Sequence, residues 1–328
     1  VGLGRVRSVA EQDALHRGRS SHRGIRDLLG HGQHGKPFGV GAILLSLLFG
    51  SLNTAVAAGS MSISQELDAN YTYVGGASTR GAGVNAGSVD ESSADVRYMF
   101  SPQITKDLLF RFGMEWQGLF FGVPNHAPVP DRLEQVSAVV GLDYQLADQW
   151  IIRAEVQPGI YSDFRDVQWD DVDAPLVLGG VYLANADLQW FFGLRLDARS
   201  QYPVLPAAGV RWKFADEWTL NFMLPNPRLQ YDVNDRLQFY FGARVDAGTF
   251  RVGEHFGSDS GQRKLNNAVV DYLEIRIGPG CSWKVSPQVT IEAEAGYMPY
   301  RSFDFFDPNI VFRSHNAPYG QIACHARF

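Results

Sequence analysis

The 328-residue sequence predicts an all-β fold, an antiparallel up-and-down barrel that spans a membrane with about fourteen strands, or twelve. Three observations point to it. Apolar and polar residues alternate with period two along most of the chain. Short polar links take turns with longer links rich in Gly, Asp, Ser and Asn. After residue 58 no apolar run reaches the about 20 residues that a membrane-spanning helix needs.

The alternation is plainest in "VTIEAEAGYMPY" (289–300), where Val289, Ile291, Ala293, Ala295 and Tyr297 oppose Thr290, Glu292, Glu294 and Gly296. A strand puts successive side chains on opposite faces, so this segment has one apolar and one polar face. The same holds for "WIIRAEVQ" (150–157), "LQWFFGLRLDAR" (188–199) and "LQFYFGARVDAG" (237–248). Helical spacing would instead scatter their charges among the apolar side chains.

The predicted short turns are "FSPQI" (100–104), "LADQW" (146–150), "LANADLQW" (183–190), "FADEW" (214–218), "YDVNDRL" (231–237) and "VSPQV" (285–289). Each holds the Asp, Asn or Pro that tight turns favour. Predicted long loops include 75–93, 162–175 and 253–267. Six turns joining strand pairs, with a first strand near 65–75 and a last near 317–328, yield the fourteen-strand count. An even count with short turns at one end and long loops at the other is the pattern of barrels with periplasmic turns and extracellular loops.

A barrel this wide cannot fill its interior with an inward apolar face, so that face belongs in lipid and the charged face inside. A two-sheet sandwich is the alternative; its longer crossovers fit repeated hairpins poorly. Trp150, Trp190, Trp218 and Trp283 each lie near a short turn on the apolar face of their strands. Four indoles at one depth make an interfacial girdle.

Residues 1–57 read as a separate N-terminal extension and signal peptide, with 58–328 as a single barrel domain. The extension has seven Arg/Lys against three Asp/Glu, leaving 22 basic and 32 acidic residues for the remainder, net −10. An uncharged run at 37–52 leads to small residues at Ala55 and Ala57, the spacing a signal peptidase reads. An uncleaved anchor is the alternative. The extension is expected to be removed from, or disordered beside, the mature fold. The acidic remainder, with scattered Lys and Arg, gives no footing for nucleic acid.

The last segment, "YGQIACHARF", alternates and ends in Phe328. It resembles the C-terminal strand of bacterial outer-membrane proteins, which implies recognition of Phe328 by the barrel-assembly machinery. "WTLNFMLPNPRLQY" (218–231) followed by "NDRLQFYFGARVDAGTFRV" (234–252) resembles a block in an uncharacterised family of bacterial outer-membrane barrels. That resemblance implies the fold, an outer-membrane location and contact with outer-membrane lipid, and assigns no substrate.

The inward face is expected to carry Arg97, Arg111, Glu115, Asp143, Arg153, Glu155, Arg195, Asp197, Arg211, Lys213, Arg244, Asp246, Glu274, Arg276, Glu292 and Glu294. These either select small hydrophilic solutes or pair across strands and brace the wall. Near-balanced signs favour bracing at any single position. No catalytic residue, metal site or cofactor is expected: the histidines at 126, 255, 315 and 325 lack ligand spacing, and no Ser or Cys stands in a nucleophile motif. The acidic loop with Asp163, Asp166, Asp170, Asp171 and Asp173 departs from the EF-hand pattern and reads as a solvated surface.

The leading functional expectation is a passive porin-like channel for small hydrophilic solutes or ions. A closed structural or surface-interaction barrel is the second, plugged by segments such as the Phe-rich 302–319, and a membrane-embedded lipid-modifying enzyme the third. The pattern leaves oligomeric state open.

Cys281 and Cys324 fall on lipid-facing positions with one strand between them, so their backbones should lie about 9–10 Å apart. A disulfide needs Cα atoms within about 7 Å. Thiol titration of the unreduced, denatured mature protein should therefore count two reactive groups; an intramolecular bridge between them would refute the strand order.

Overall fold

A computed structural model describes residues 63–328, so the N-terminal extension and its cleavage site lie outside the described residues. Seventeen strands form one sheet that closes on itself, antiparallel except at a single β6–β13 contact. In chain order they are β1 (Ile63–Gly81), β2 (Val84–Thr105), β3 (Leu108–Gly122), β4 (Arg132–Ala147), β5 (Trp150–Val156), β6 (Gly159–Ser162), β7 (Val172–Asp173), β8 (Leu176–Leu183) and β9 (Leu188–Leu196). There follow β10 (Val204–Lys213), β11 (Trp218–Phe222), β12 (Arg228–Asp232), β13 (Leu237–Arg251), β14 (Val269–Lys284), β15 (Val289–Phe305), β16 (Ile310–Ser314) and β17 (Ala317–Arg327).

Three staves of the barrel are broken in two. β5 and β6 both pair with β4, on either side of Pro158; β7 and β8 pair with β6 and β5; β16 and β17 both lie between β15 and β1. Proline, with no N–H to donate, interrupts a ladder where it falls, and Pro158 and Pro175 mark two of these breaks. Seventeen segments with three such breaks make a closed barrel of fourteen staves, the predicted number. Closure runs from β1 to β17, from Glu66↔Arg327 to Val74↔Tyr319, and Gln65 and Phe328 exchange backbone bonds of 3.0 and 2.9 Å at the seam.

Five of the six short turns fall where the sequence places them. The first does not: β2 runs straight through 100–104 and turns at Lys106–Asp107. The interval 75–93 is also strand instead of loop. β1 and β2 continue past the apolar band and reverse at Ala82–Gly83, both with positive φ (49° and 75°), the left-handed pair that a two-residue hairpin requires. Polar residues on both faces give this extension the composition of a loop.

The outward face is the apolar one. Trp150, Phe192 and Phe241 are exposed, while Arg153 and Glu292 on the opposite face are buried. The four tryptophans expected to form a girdle are exposed near the short-turn end; Trp150 packs on Tyr182 and Trp218 on Tyr231, with ring centroids 5.0 and 4.9 Å apart. Cys281 and Cys324 are free thiols, with β15 between their strands: Cys281 is level with Ala293, and Cys324 with Ile291.

Phe241 is 58% exposed on the outer face of β13. Phe241→Arg should destabilise the barrel by about 2–4 kcal/mol if the position lies near the bilayer midplane. Denaturant titration of protein folded into phosphatidylcholine vesicles measures it, and a loss under about 0.5 kcal/mol would place Phe241 away from hydrocarbon.

Candidate functional site

The barrel interior is divided by height. At the loop end it is a hydrocarbon core: Val89, Leu119, Phe121, Leu133, Phe250, Phe303, Phe305 and Phe312 meet there, and the 252–268 loop adds Leu265. Phe121 packs edge-on to Phe303 with centroids 5.0 Å apart. The Phe-rich 302–319 segment thus turns its aromatics inward. β6 crosses to meet β13, with Ser162 opposite Arg251 and the Asp163 N–H donating to the Arg251 carbonyl at 3.1 Å. This narrows the mouth around the core.

Below the core the interior is ionic. Arg97 bonds Glu115 at 3.2 Å and Glu155 at 2.8 Å. Arg111 lies 3.7 Å from Glu66 and 3.8 Å from Asp143, and Asp143 also holds Arg153. On the other side Arg244 bonds Asp246 at 2.9 Å, and Arg276 pairs with Asp246 and, at 3.2 Å, with Glu274. Arg301 joins Glu274 at 2.8 Å to Glu91 at 3.1 Å, and the Tyr272 hydroxyl donates to Glu91 at 2.7 Å. Arg228 reaches Glu292 at 3.0 Å and Glu294 at 3.6 Å, with its guanidinium 4.1 Å over the Tyr240 ring. His325 contacts Asp68 at 2.7 Å, and Arg195 contacts Asp197 at 3.1 Å.

Many of these pairs skip strands. Arg97 on β2 reaches Glu155 on β5, Arg228 on β12 reaches Glu292 on β15, and Arg244 on β13 comes within 3.8 Å of Asp95 on β2. Such pairs are chords through the interior; ladders along the wall would join neighbours. Long arginine side chains span the gap, and the bidentate guanidinium suits a buried carboxylate. All sixteen residues expected inside share this face. Fourteen join the ion pairs; Arg211 and Lys213 form none within 4 Å among the described residues.

Several members of the network lie outside the sixteen. Glu66, Asp68 and Asp95 follow the same alternation and are legible in it. Glu91 falls in the interval whose composition predicts a loop. Arg301 follows an irregularity in the β14–β15 register between Ile275 and Ile277, which shifts the phase of β15 and moves an odd-numbered residue inward. Arg228 lies just after the 223–227 link, beyond any run long enough to show a period.

The interior is not filled everywhere. Toward the loop end of β8, β9 and β10, above the buried Val181, Phe191 and Arg211, the inward positions Gly179, Gly193, Arg195, Leu205 and Ala207 are not buried; Leu205 is 43% exposed and the Arg195 side chain 34%. Beneath this cavity, Met223 from the β11–β12 link packs on Val181 and Phe191 to form an apolar floor.

Among the described residues no group of three or more His, Cys, Asp or Glu is placed to hold a metal. The acidic loop spends its carboxylates locally: Asp163 accepts N–H groups from Arg165 (3.1 Å) and Gly253 (2.8 Å), and Asp171 that of Gln168 (2.9 Å). Burial raises the Asp171 carboxyl above the ordinary range, and the hydrogen bond to Asp131 raises the Arg165 guanidinium.

A family described as a domain of unknown function, DUF6268, matches residues 124–322, well over half of the chain. The chain belongs to that family. No curated protein matches it. Among solved structures it is similar to the COG4313 outer membrane channel from Pseudomonas putida F1, at 10% identity and TM-score 0.44, covering 84% of this chain and 100% of that one. A Pseudomonas aeruginosa FadL homologue matches at 10% identity and TM-score 0.40 over 81% and 90% of the two chains. The translocator domain of the autotransporter NalP from Neisseria meningitidis matches at 12% and 0.38 over 83% and 90%. At these values the likenesses assign no activity to this chain.

Arg301→Met leaves Glu91 buried without its cation and should cost about 3–5 kcal/mol. Adding Glu91→Gln should recover a large part of it. Unfolding in vesicles tests both, and a single variant as stable as the parent would show that the chord carries no load.

Proposed function

We propose that this protein is an outer-membrane transport channel, closed in the state described, through which small solutes cross by way of the cavity beside β8, β9 and β10. The observation that carries this reading is the unfilled interior around Leu205, Ala207 and Arg195, in a barrel where most other inward side chains are packed or ion-paired. A barrel serving only as scaffold gains by filling such a space, since protein interiors pack to crystal-like density.

The same geometry speaks against a permanently open pore. The apolar core narrows the loop end beside the cavity, and Met223, Val181 and Phe191 close the way down. The charged face expected to select hydrophilic solutes spends most of its charge on internal ion pairs, several of them chords across the interior. What remains for solutes is the cavity, whose lining joins one partly exposed arginine to small and apolar residues.

Two bilayer recordings test this. The purified parent should be nearly silent in planar bilayers. Met223→Gly, which removes the floor without touching an ion pair, should give discrete ohmic steps. Heat-modifiable migration on a gel confirms that the variant is a folded barrel. A folded Met223→Gly barrel that stays silent would end the channel reading and favour the closed scaffold.

A further inference from the structure

The wall beside the cavity is incomplete. β11 pairs with β10 only from Val210 to Lys213, and β12 with β13 only up to Gly242. These two strands have five residues each, where a tilted strand needs about 9–11 to cross a bilayer. Above them the hairpin tip still serves β13: the Ala243 and Val245 N–H groups donate to the Pro227 and Pro225 carbonyls, 2.9 Å each. Among the described residues β13 then has no backbone partner on that side until Arg251 meets Ser162. The 197–203 loop roofs the breach, since the Ser200 hydroxyl and Gln201 N–H donate to the Asp271 carboxylate on β14 at 3.0 and 2.9 Å.

We propose that this breach is a lateral port through which an apolar small molecule dissolved in the lipid leaflet enters the cavity. The proposal rests on the channel reading and names its substrate class.

Rim chemistry selects the occupant. Val204, Leu205, Pro206, Ala207 and Ala208 carry no hydrogen-bonding side chain, and all five are exposed, inward and outward positions alike. Elsewhere among the described strands no inward apolar side chain is exposed. Ala243, Val245 and Ala247 continue the apolar rim on β13. Two absent strands at ~4.8 Å each leave a breach on the order of 10 Å wide, enough for an alkyl chain or one aromatic ring.

The alternative occupant is an added β-strand, and Pro206 opposes it. The Asp197 N–H bonds the Pro203 carbonyl (3.0 Å), and the Lys213 N–H bonds that of Asp187 (2.8 Å). Odd-numbered residues of β10 therefore pair with β9, and even-numbered ones turn their backbone toward the breach. Pro206 is the middle one of these and has no N–H to offer, a usual guard of a free edge. The remaining edge groups at Val204, Pro206 and Ala208 would take their partners from water in the cavity behind the rim; irregular backbone at membrane depth survives where it lines a wet space. The breach thus joins lipid directly to a solvated interior.

Photolabelling tests the port. Protein in phosphatidylcholine vesicles is irradiated with a diazirine-bearing alkane, and labelled residues are mapped by mass spectrometry. Labels should appear on inward Arg195 and Leu205 as well as on lipid-facing Phe192 and Phe241. Ala207→Trp should abolish the inward labels and spare Phe241; if that variant fails the heat-modifiability check, Ala247→Trp blocks the opposite rim. Labels confined to Phe192, Phe241 and other outward residues of the parent would overturn the port, as would a peptide or second copy found bound across β10 by native mass spectrometry. Labelling reads arrival in the cavity and conductance reads passage through its floor, so either can fail alone.

Discussion

In hydrocarbon a backbone N–H or C=O without a partner costs several kcal/mol, and nearly everything in this structure follows from meeting that demand. A sheet meets it only by closing, so β1 must find β16 and β17. Closure then sorts the side chains. The apolar face goes to lipid and the charged residues on the alternate positions are turned inward, many of them buried. The breaks at Pro158 and Pro175 are tolerated because the flanking segments keep their ladders to the same neighbours.

Turning the charges inward creates a second demand, since a buried ion is costly without a partner. The answer here is a set of arginines reaching across the interior. Arg301 between Glu91 and Glu274, Arg228 between Glu292 and Glu294, and Arg97 between Glu115 and Glu155 each satisfy two acids. These chords fill the space that an open pore would need. Nearer the loop end, where β1 and β2 and their neighbours run beyond the membrane, aromatic packing replaces the chords. Among the described residues, the stretch of wall with neither device is the one beside β11 and β12, and it is also where the backbone edges of β10 and β13 go without a strand partner.

Period-two alternation makes the barrel, the outward face and most inward charges legible in the amino-acid order alone. Phe192, Phe241, Arg153 and Glu292 stand on the faces their spacing assigns. The failures have a common cause. Where both faces are wet, as in 75–93, a strand and a loop share one composition, so the upper β1–β2 hairpin carries no strand signal. Where the register slips, as before Arg301, parity stops reporting the face. Where a strand is too short to show a period, as at Arg228, there is nothing to count. Each of these is a place where pairing with a neighbour, and not the residues themselves, decides the conformation.

The sequence by itself determined the class of fold, a count of about fourteen staves with twelve as the alternative, and the apolar outward surface, because these depend on local alternation and turn chemistry. The tertiary structure alone decided how the inside is arranged. A list of inward charges is equally consistent with a selective pore and with a braced wall; only the distances across the interior show which acids each arginine reaches. The breach is likewise invisible in sequence. It arises because β11 and β12 stop after five residues each while β10 and β13 continue, and the length at which a strand stops pairing is a property of its neighbours.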